Sequence, residues 1–310
     1  MNKPLVTVIC LCYNHAAFVQ EAISSVLAQD YQHIELIVVD DCSTDQSGEL
    51  IRLLQQKHGF KAIYNDRNLG NCRSFNLALS QTSGAFVIDL AADDVLFPER
   101  VKIGVELLEM HGERYGVHFC DVQLIDEHGK MTGNHYRRDA QGQLLEKVPQ
   151  GDIFVELLQR YFISAPSMMM RRSVLDELGG YDENLSYEDF DFWVRSSRYS
   201  RYAFTDQVLV KKRILYLSLS RQQKHKKNRH ALSTAVVCQK AAKLQQNEME
   251  KHALIKRINH ELKWALLTEN WEAATLFLEI KNGLGHNPII SVLHRAIIYI
   301  KPRWYILWKL

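Results

Sequence analysis

The sequence predicts an α/β protein: a mostly parallel central sheet with helices on both faces, followed by a helical C-terminal extension. Three observations carry this. Strand-like and helix-like segments alternate from the N-terminus onward. The strand-like runs are almost continuously apolar, as strands buried on both faces are. Polar clusters stand where those runs end, and open parallel sheets bind ligands outside the carboxyl ends of their strands.

The elements follow in order. "LVTVICLCY" reads as a buried strand, and "AAFVQEAISSVLAQ" as a helix with Phe18, Ala22, Ile23, Val26 and Leu27 on one face. "IELIVVDD" is a second strand, "DQSGELIRLLQQKH" a helix, "KAIYN" a short strand and "CRSFNLALSQ" a helix. "AFVIDLA" is a strand that ends at Asp93 and Asp94, and "PERVKIGVELLEMHG" is the next helix. The rhythm then changes. "YGVHFCDVQLIDEHGKMTG" reads as strand and turn and "DIFVELLQRYF" as a short helix. A further helix begins near Glu188, and "YAFTDQVLVKKRILYLSLS" supplies one or two strands. From about residue 228 the tail is mostly helical, with apolar residues three and four apart over Lys251 to Leu267 and Trp271 to Ile280.

Composition is that of a globular chain: 310 residues, 46% hydrophobic and 24% charged. "MNKPLVTVICLCYN" holds a short apolar run and no small-residue cleavage site, so it reads as a strand rather than a leader. No apolar run reaches the roughly 18 residues of a spanning helix, and a cytoplasmic protein is expected. The six cysteines lack zinc spacing and read as reduced, packed thiols. Cys10 and Cys12 lie on one side of their strand. Charge is uneven. Residues 1–210 hold 19 Lys and Arg against 30 Asp and Glu, whereas residues 211–310 hold 19 against 6. A basic tail suits phosphates or an anionic membrane surface.

The strand-end clusters are Tyr13-Asn14-His15, Asp40-Asp41-Cys42-Ser43 and Asp93-Asp94. Two adjacent carboxylates at the end of a buried strand need counter-charge. No GxGxxG follows the first strand and no GxxxxGK[ST] occurs, which argues against dinucleotide oxidoreductases and P-loop enzymes. A hard divalent cation, Mg²⁺ or Mn²⁺, would answer the pair and bridge to phosphate oxygens. Helix capping is the structural alternative for Asp40 and Asp41, and a first-turn position for Asp93, Asp94, Glu188 and Asp189. Met168 to Met170 read as core, and Asp191 as structural or exposed.

Five segments together resemble glycosyltransferase family 2, inverting sugar transferases of GT-A fold. They are "VTVICLCYNHAAFVQEAISSVLAQDYQHIELIVVDDCSTDQS", "NLGNCRSFNLALSQTSGAF", "VIDLAADD", "MMMRRSVLDELGGYDE" and "YEDFDFWVR", within residues 4 to 220. The resemblance implies a nucleotide-sugar donor, usually a UDP-sugar, with Mn²⁺ or Mg²⁺ on the diphosphate. It implies that Tyr13 and Asp41 flank the nucleobase, with Asp40 supporting their loop. Asn68, Gly70 and Asn76 match the motif near base and ribose. Asp93 reaches the ribose or the metal, and Asp94 the metal and diphosphate. Asp189 matches the catalytic base, with Glu188 beside it orienting the acceptor. A sugar hydroxyl needs a base as it attacks, and inversion requires that base to be separate from the leaving-group site.

The implied layout is a GT-A domain over 1–220, with a nucleotide-sugar half to about 110 and an acceptor half from 111, and a basic helical extension over 221–310. The sequence departs from the family at Ala91, where a carboxylate is usual, and at Leu215, where a histidine is usual. The expected acceptor is a growing glycan, soluble or lipid-linked, as in polysaccharide biosynthesis, and no nucleic acid is expected. The basic "RQQKHKKNRH" reads as a solvated run or a phosphate-closing loop. The aromatic and basic stretch 288–310 reads either as peripheral attachment to the inner membrane face or as a packed helical pair. Two rivals remain: a metal-dependent nucleotidyltransferase, for which "CYNHAAFVQ" lacks a basic glycine-rich loop, and a non-catalytic sugar-nucleotide or glycan-binding module.

Overall fold

The computed structural model describes residues 3–215, 228, 230–285 and 298–299. In chain order its first elements are β1 (Val6–Cys12), α1 (Val19–Leu27), β2 (Ile34–Asp40), α2 (Ser47–His58), β3 (Lys61–Tyr64) and α3 (Asn71–Leu79). There follow β4 (Phe86–Ala91), β5 (Val95–Leu96), α4 (Arg100–His111), β6 (Tyr115–Ile125), β7 (Met131–Asn134) and α5 (Phe154–Gln159). A 3-10 turn at Ala165–Ser167 leads to β8 (Met169–Arg171), α6 (Arg172–Leu178), α7 (Asp189–Ser196) and β9 (Arg201–Arg213). The tail supplies α8 (His230–Leu244), α9 (Glu248–Leu267) and α10 (Trp271–Gly283).

The described residues form two compact units. The first comprises Met1–Ile153, Phe162–Glu183 and Tyr199–Leu215, and the second Phe154–Tyr161, Asn184–Arg198 and Tyr216–Leu310. The division therefore does not run along the sequence boundary expected near residue 220. Two segments from the first 200 residues pack with the tail, because α5 and α7 bury their apolar faces there.

In the first unit the sheet order is β3-β2-β1-β4-β8-β6-β9-β5, with β7 on β6. β1 pairs in parallel with β2 on one side and β4 on the other, and β3 continues in parallel beyond β2. All seven residues of β1 are buried, which is why its sequence is apolar apart from Thr7. Cys10 and Cys12 share a core with Val6, Val8, Ile88 and Leu90, and the cysteines of the described residues are free thiols. The sheet is mostly parallel by residue: the antiparallel pairings of β8 with β4 and β6, and of β5 with β9, span two residue pairs each, and that of β7 with β6 spans three. β8 and α6 were not anticipated as separate elements. A three-residue strand carries no period, and Met168, Met169 and Met170 announce only burial, which the structure shows for all three.

The chain steps from β1 outward to β2 and β3 and then returns to β4 on the other side of β1. That reversal opens a crevice at the carboxyl ends of β1 and β4. The opposite ends are tied by Glu35, which accepts hydrogen bonds from the Thr7 hydroxyl at 2.6 Å and from the N–H groups of Ser83 and Gly84 at 2.6 and 2.8 Å.

The second unit buries charge inside itself. Asp191, 1% exposed, accepts from Arg195 Nε at 2.7 Å and from Lys240 Nζ at 2.6 Å. Arg257 donates to the Leu157 and Leu158 carbonyls at the end of α5, a favourable place for a cation, and lies 4.2 Å from the Tyr161 ring centroid. No helix among the described residues is long and apolar enough to cross a membrane. The stretches 221–230 and 288–310 lie outside the described residues, apart from 228, 230, 298 and 299.

A methyl group on Gly84 would sit 2.5 Å from the Thr7 backbone nitrogen and 2.4 Å from its hydroxyl. Gly84→Ala should therefore destabilise the protein by about 1–3 kcal/mol, since backbone must move to relieve the clash. Urea unfolding compared with the wild type measures this, and an unchanged midpoint would refute the packing described.

Candidate functional site

Two loops interlock at the ends of β1 and β2. Asn14 adopts φ +57°, and its Oδ1 accepts the Thr44 N–H at 2.7 Å and the Thr44 hydroxyl at 3.2 Å. The Asn14 N–H donates to Ser43 Oγ at 2.9 Å, that of His15 to Ser47 Oγ at 3.0 Å, and that of Ala16 to Asp45 Oδ2 at 3.0 Å. Burial works against ionisation of Asp45, but hydrogen bonds from the Ser47 side chain and the Ala16 and Ser47 amides outweigh it and hold its carboxyl below the usual range. Tyr13, at the head of this braced loop, is 46% exposed and free to pack on a planar ligand.

Asp40 and Asp41 are both buried. Asp40 Oδ1 accepts the Ser43 N–H at 3.2 Å, and its Oδ2 lies where Gly48 leaves room. Asp41 is the anchor of a second loop. Its Oδ1 accepts from Asn65 Nδ2 and the Leu69 N–H, and its Oδ2 from the Gly70 N–H, each at 2.8 Å. Three of about four acceptor positions of this carboxylate are thus taken by the protein, leaving one on Oδ2. Asn68 donates to the Asp41 carbonyl at 3.4 Å, and Gly70 starts α3 with φ +83°. Asn76 faces elsewhere. Its amide brackets Tyr181, donating to the carbonyl at 2.8 Å and accepting the N–H at 2.9 Å, and also donates to Glu183 Oε1. Gly180 has no side chain because a Cβ would meet Asn76 Oδ1 at 2.4 Å.

Asp93 and Asp94 close the crevice beyond β4. Asp94 is 4% exposed, and its Oδ1 accepts the Arg213 backbone N–H at 2.8 Å. Burial, reinforced by the Asp93 charge, pushes its carboxyl up to about 8. Asp93 is the more open of the two; its Oδ1 lies 3.9 Å from His15 Nδ1. The Arg213 guanidinium hydrogen-bonds neither carboxylate. It donates to the carbonyls of Asp93 and Asp126 at 3.0 and 3.1 Å and to Glu21 Oε2 at 2.7 Å, and stacks on Phe18 at 4.5 Å. No local pattern announces this role of Arg213, which joins residues 192 positions apart. Asn65, Asp45 and Ser47 belong to the site although no sequence motif singles them out; Asp45 Oδ1 accepts the Ser47 N–H as a helix-entry turn, which is a local signal.

In the second unit Glu188 is the residue before α7 and Asp189 its first residue; both are half-buried. Asp189 Oδ1 accepts the Phe190 N–H at 2.6 Å, a first-turn position that suits a carboxylate.

The model for glycosyl transferase family 2 matches residues 7–179. This chain belongs to glycosyl transferase family 2. An uncharacterized glycosyltransferase of Methanocaldococcus jannaschii is 31% identical over 238 residues, covering 72% of this chain and 77% of that one. One of Rickettsia prowazekii (strain Madrid E) is 32% identical over 214 residues, 68% of this chain but 64% of the relative's length. The structure resembles S. aureus TarS residues 1–349 in complex with UDP-GlcNAc, with a TM-score of 0.66 and 19% identity over 90% of this chain and 80% of that one. It also resembles a mannosyltransferase from Pyrobaculum calidifontis in complex with GDP-Man and Mn²⁺, with a TM-score of 0.60 and 18% identity over 99% and 84%. At these identities the likeness is one of fold, and the fold is the expected GT-A α/β architecture.

The family implies a divalent cation, and the residues present fit one. Asp93 and Asp94 offer hard oxygen donors, and no side-chain cation hydrogen-bonds either carboxylate among the contacts described, which leaves Asp94 poised to lose a proton to a metal. Among the described residues no group of three or more His, Cys, Asp or Glu side chains is placed to hold a metal as the side chains stand, so further ligands would come from phosphate, water or a side chain that closes on the pair.

The folded chain keeps the Asp94 proton to about pH 8, whereas the ordinary carboxyl releases it near 3.8. Stability from this group is full below that lower value and is lost as pH rises through the upper one. Without added metal, wild-type melting temperature should fall more between pH 5 and about 8.5 than that of Asp94→Asn, which still accepts the Arg213 N–H. Parallel melting curves across that range would remove Asp94 as the cause.

Proposed function

We propose that this protein transfers a sugar from a nucleotide-activated donor, a UDP-sugar, to an acceptor hydroxyl of a growing glycan, with inversion at the anomeric carbon. The observation that carries the proposal is the convergence of three strand-end clusters in one unit. The Tyr13 loop, the Asp41-anchored loop and the Asp93-Asp94 pair all lie at the carboxyl ends of β1, β2 and β4. Family membership supports it, as do the UDP-GlcNAc, UDP and GDP-Man named with proteins of the same fold.

In this reading Tyr13 packs on the nucleobase and the remaining acceptor position of Asp41 takes its N–H. Asp40, Asn68 and Gly70 fix the walls of that pocket, and Asn76 acts one step back by holding residues 181–183. Asp93 and Asp94 hold Mn²⁺ or Mg²⁺, which neutralises the leaving diphosphate when bound. Asp189 takes the proton of the acceptor hydroxyl as the new glycosidic C–O bond forms and the anomeric C–O bond to the diphosphate breaks, and Glu188 orients the acceptor. The electron pair of the broken bond leaves on the nucleotide. A lipid-linked acceptor, with stretch 288–310 at the inner membrane face, fits the aromatic and basic composition of that stretch.

UDP with Mn²⁺ should raise the melting temperature, and Asp94→Ala should abolish the metal-dependent part. The absence of any shift with UDP, GDP or their sugars would sink the donor site. Asp189→Asn should keep the donor-induced shift and lose transfer by about 10²–10⁴. Transfer near the wild-type rate by that variant would place the base at another residue.

A further inference from the structure

His15 lies in the loop that joins β1 to α1. Its Nδ1 is buried and has no hydrogen-bond partner. The nearest acidic oxygen is Asp93 Oδ1 at 3.9 Å, beyond hydrogen-bond reach. The ring is nevertheless held in place. Its backbone N–H is fixed by Ser47 Oγ at 3.0 Å, and the ring meets Phe18 edge-on at 6.4 Å. Phe18 in turn carries the Arg213 guanidinium that bonds the Asp93 carbonyl. An oriented imidazole nitrogen and an oriented carboxylate oxygen thus face one another across a gap that neither fills.

We propose that His15 Nδ1 is a ligand of the divalent cation held at Asp93, supplying the donor atom that Ala91 cannot. The inference rests on the donor-site reading above. Metal–nitrogen and metal–oxygen bonds of about 2.1 Å fit within the 3.9 Å between the two atoms, and a small closure of the loop brings them to adjacent coordination positions. The nitrogen donor has a consequence for metal choice. Magnesium is an oxygen-seeking ion, whereas imidazole suits transition metals, so the site should prefer Mn²⁺ to Mg²⁺. A direct His15–Asp93 ion pair is the competing explanation for the proximity, and it predicts no nitrogen at the metal.

Pulsed electron paramagnetic resonance of Mn²⁺ separates these outcomes without any turnover. The full chain is loaded with Mn²⁺ and UDP, and in parallel with Mn²⁺ and GDP. Modulation from one coordinated imidazole ¹⁴N is expected, replaced by the ¹⁵N signature when histidine is labelled and lost in His15→Ala and His15→Gln. Each variant should bind Mn²⁺ at least about 10-fold more weakly, with a smaller change for Mg²⁺. Phosphorus coupling with no histidine nitrogen would overturn the His15 assignment and leave the metal-assisted donor site standing. No bound Mn²⁺ with either nucleotide would overturn both.

Discussion

The hydrogen bond from the Arg213 backbone to the buried Asp94 carboxylate is the contact on which the crevice depends. It ties the end of β9 to the turn after β4. The same residue then spends its whole guanidinium on carbonyl oxygens, on Glu21 and on the face of Phe18. A buried cation that reaches several acceptors is well satisfied, and losing it would strand each of them. The two aspartates are left beside that cation without its charge being directed at them. The fold thus keeps two carboxyl groups without a guanidinium partner next to a positive residue, because the Arg213 guanidinium is occupied elsewhere.

The carboxylates at strand ends play unequal parts. Asp41 is largely consumed by the loop it organises, and Asp94 by its neutralising proton and the Arg213 amide. Asp93 retains the most freedom. Adjacent residues of one type therefore differ in availability because their backbone positions send one side chain inward and the other toward the crevice. The basic tail has a comparable internal economy: Lys240 answers Asp191, and Arg257 caps α5, so part of its positive charge is structural.

Most strands were legible because parallel strands buried on both faces are mostly apolar, and β1, β2 and β4 are, with Thr7, Glu35, Asp40 and Asp89 the exceptions. The strand-end polar clusters were legible for the same reason, since charge after such a run has few structural uses. The partners of those side chains were not. Asp41 bonds residues 24 to 29 positions away and Asn76 residues more than 100 away, and no local pattern encodes such pairings. β8 escaped because three residues show no period, and the division into units escaped because α5 and α7 are short helices whose packing partners come much later in the chain.

The interlocked loops have a consequence for the order in which the crevice is built. Their hydrogen bonds join residues only 29 to 32 positions apart, so they can close once about fifty residues of chain exist. The Asp94–Arg213 bond spans 119 positions and must wait until β9 has been synthesised. The crevice therefore has an early wall and a late one. A growing chain therefore holds every partner of the Asn14 and His15 backbone long before it holds the partner of Asp94.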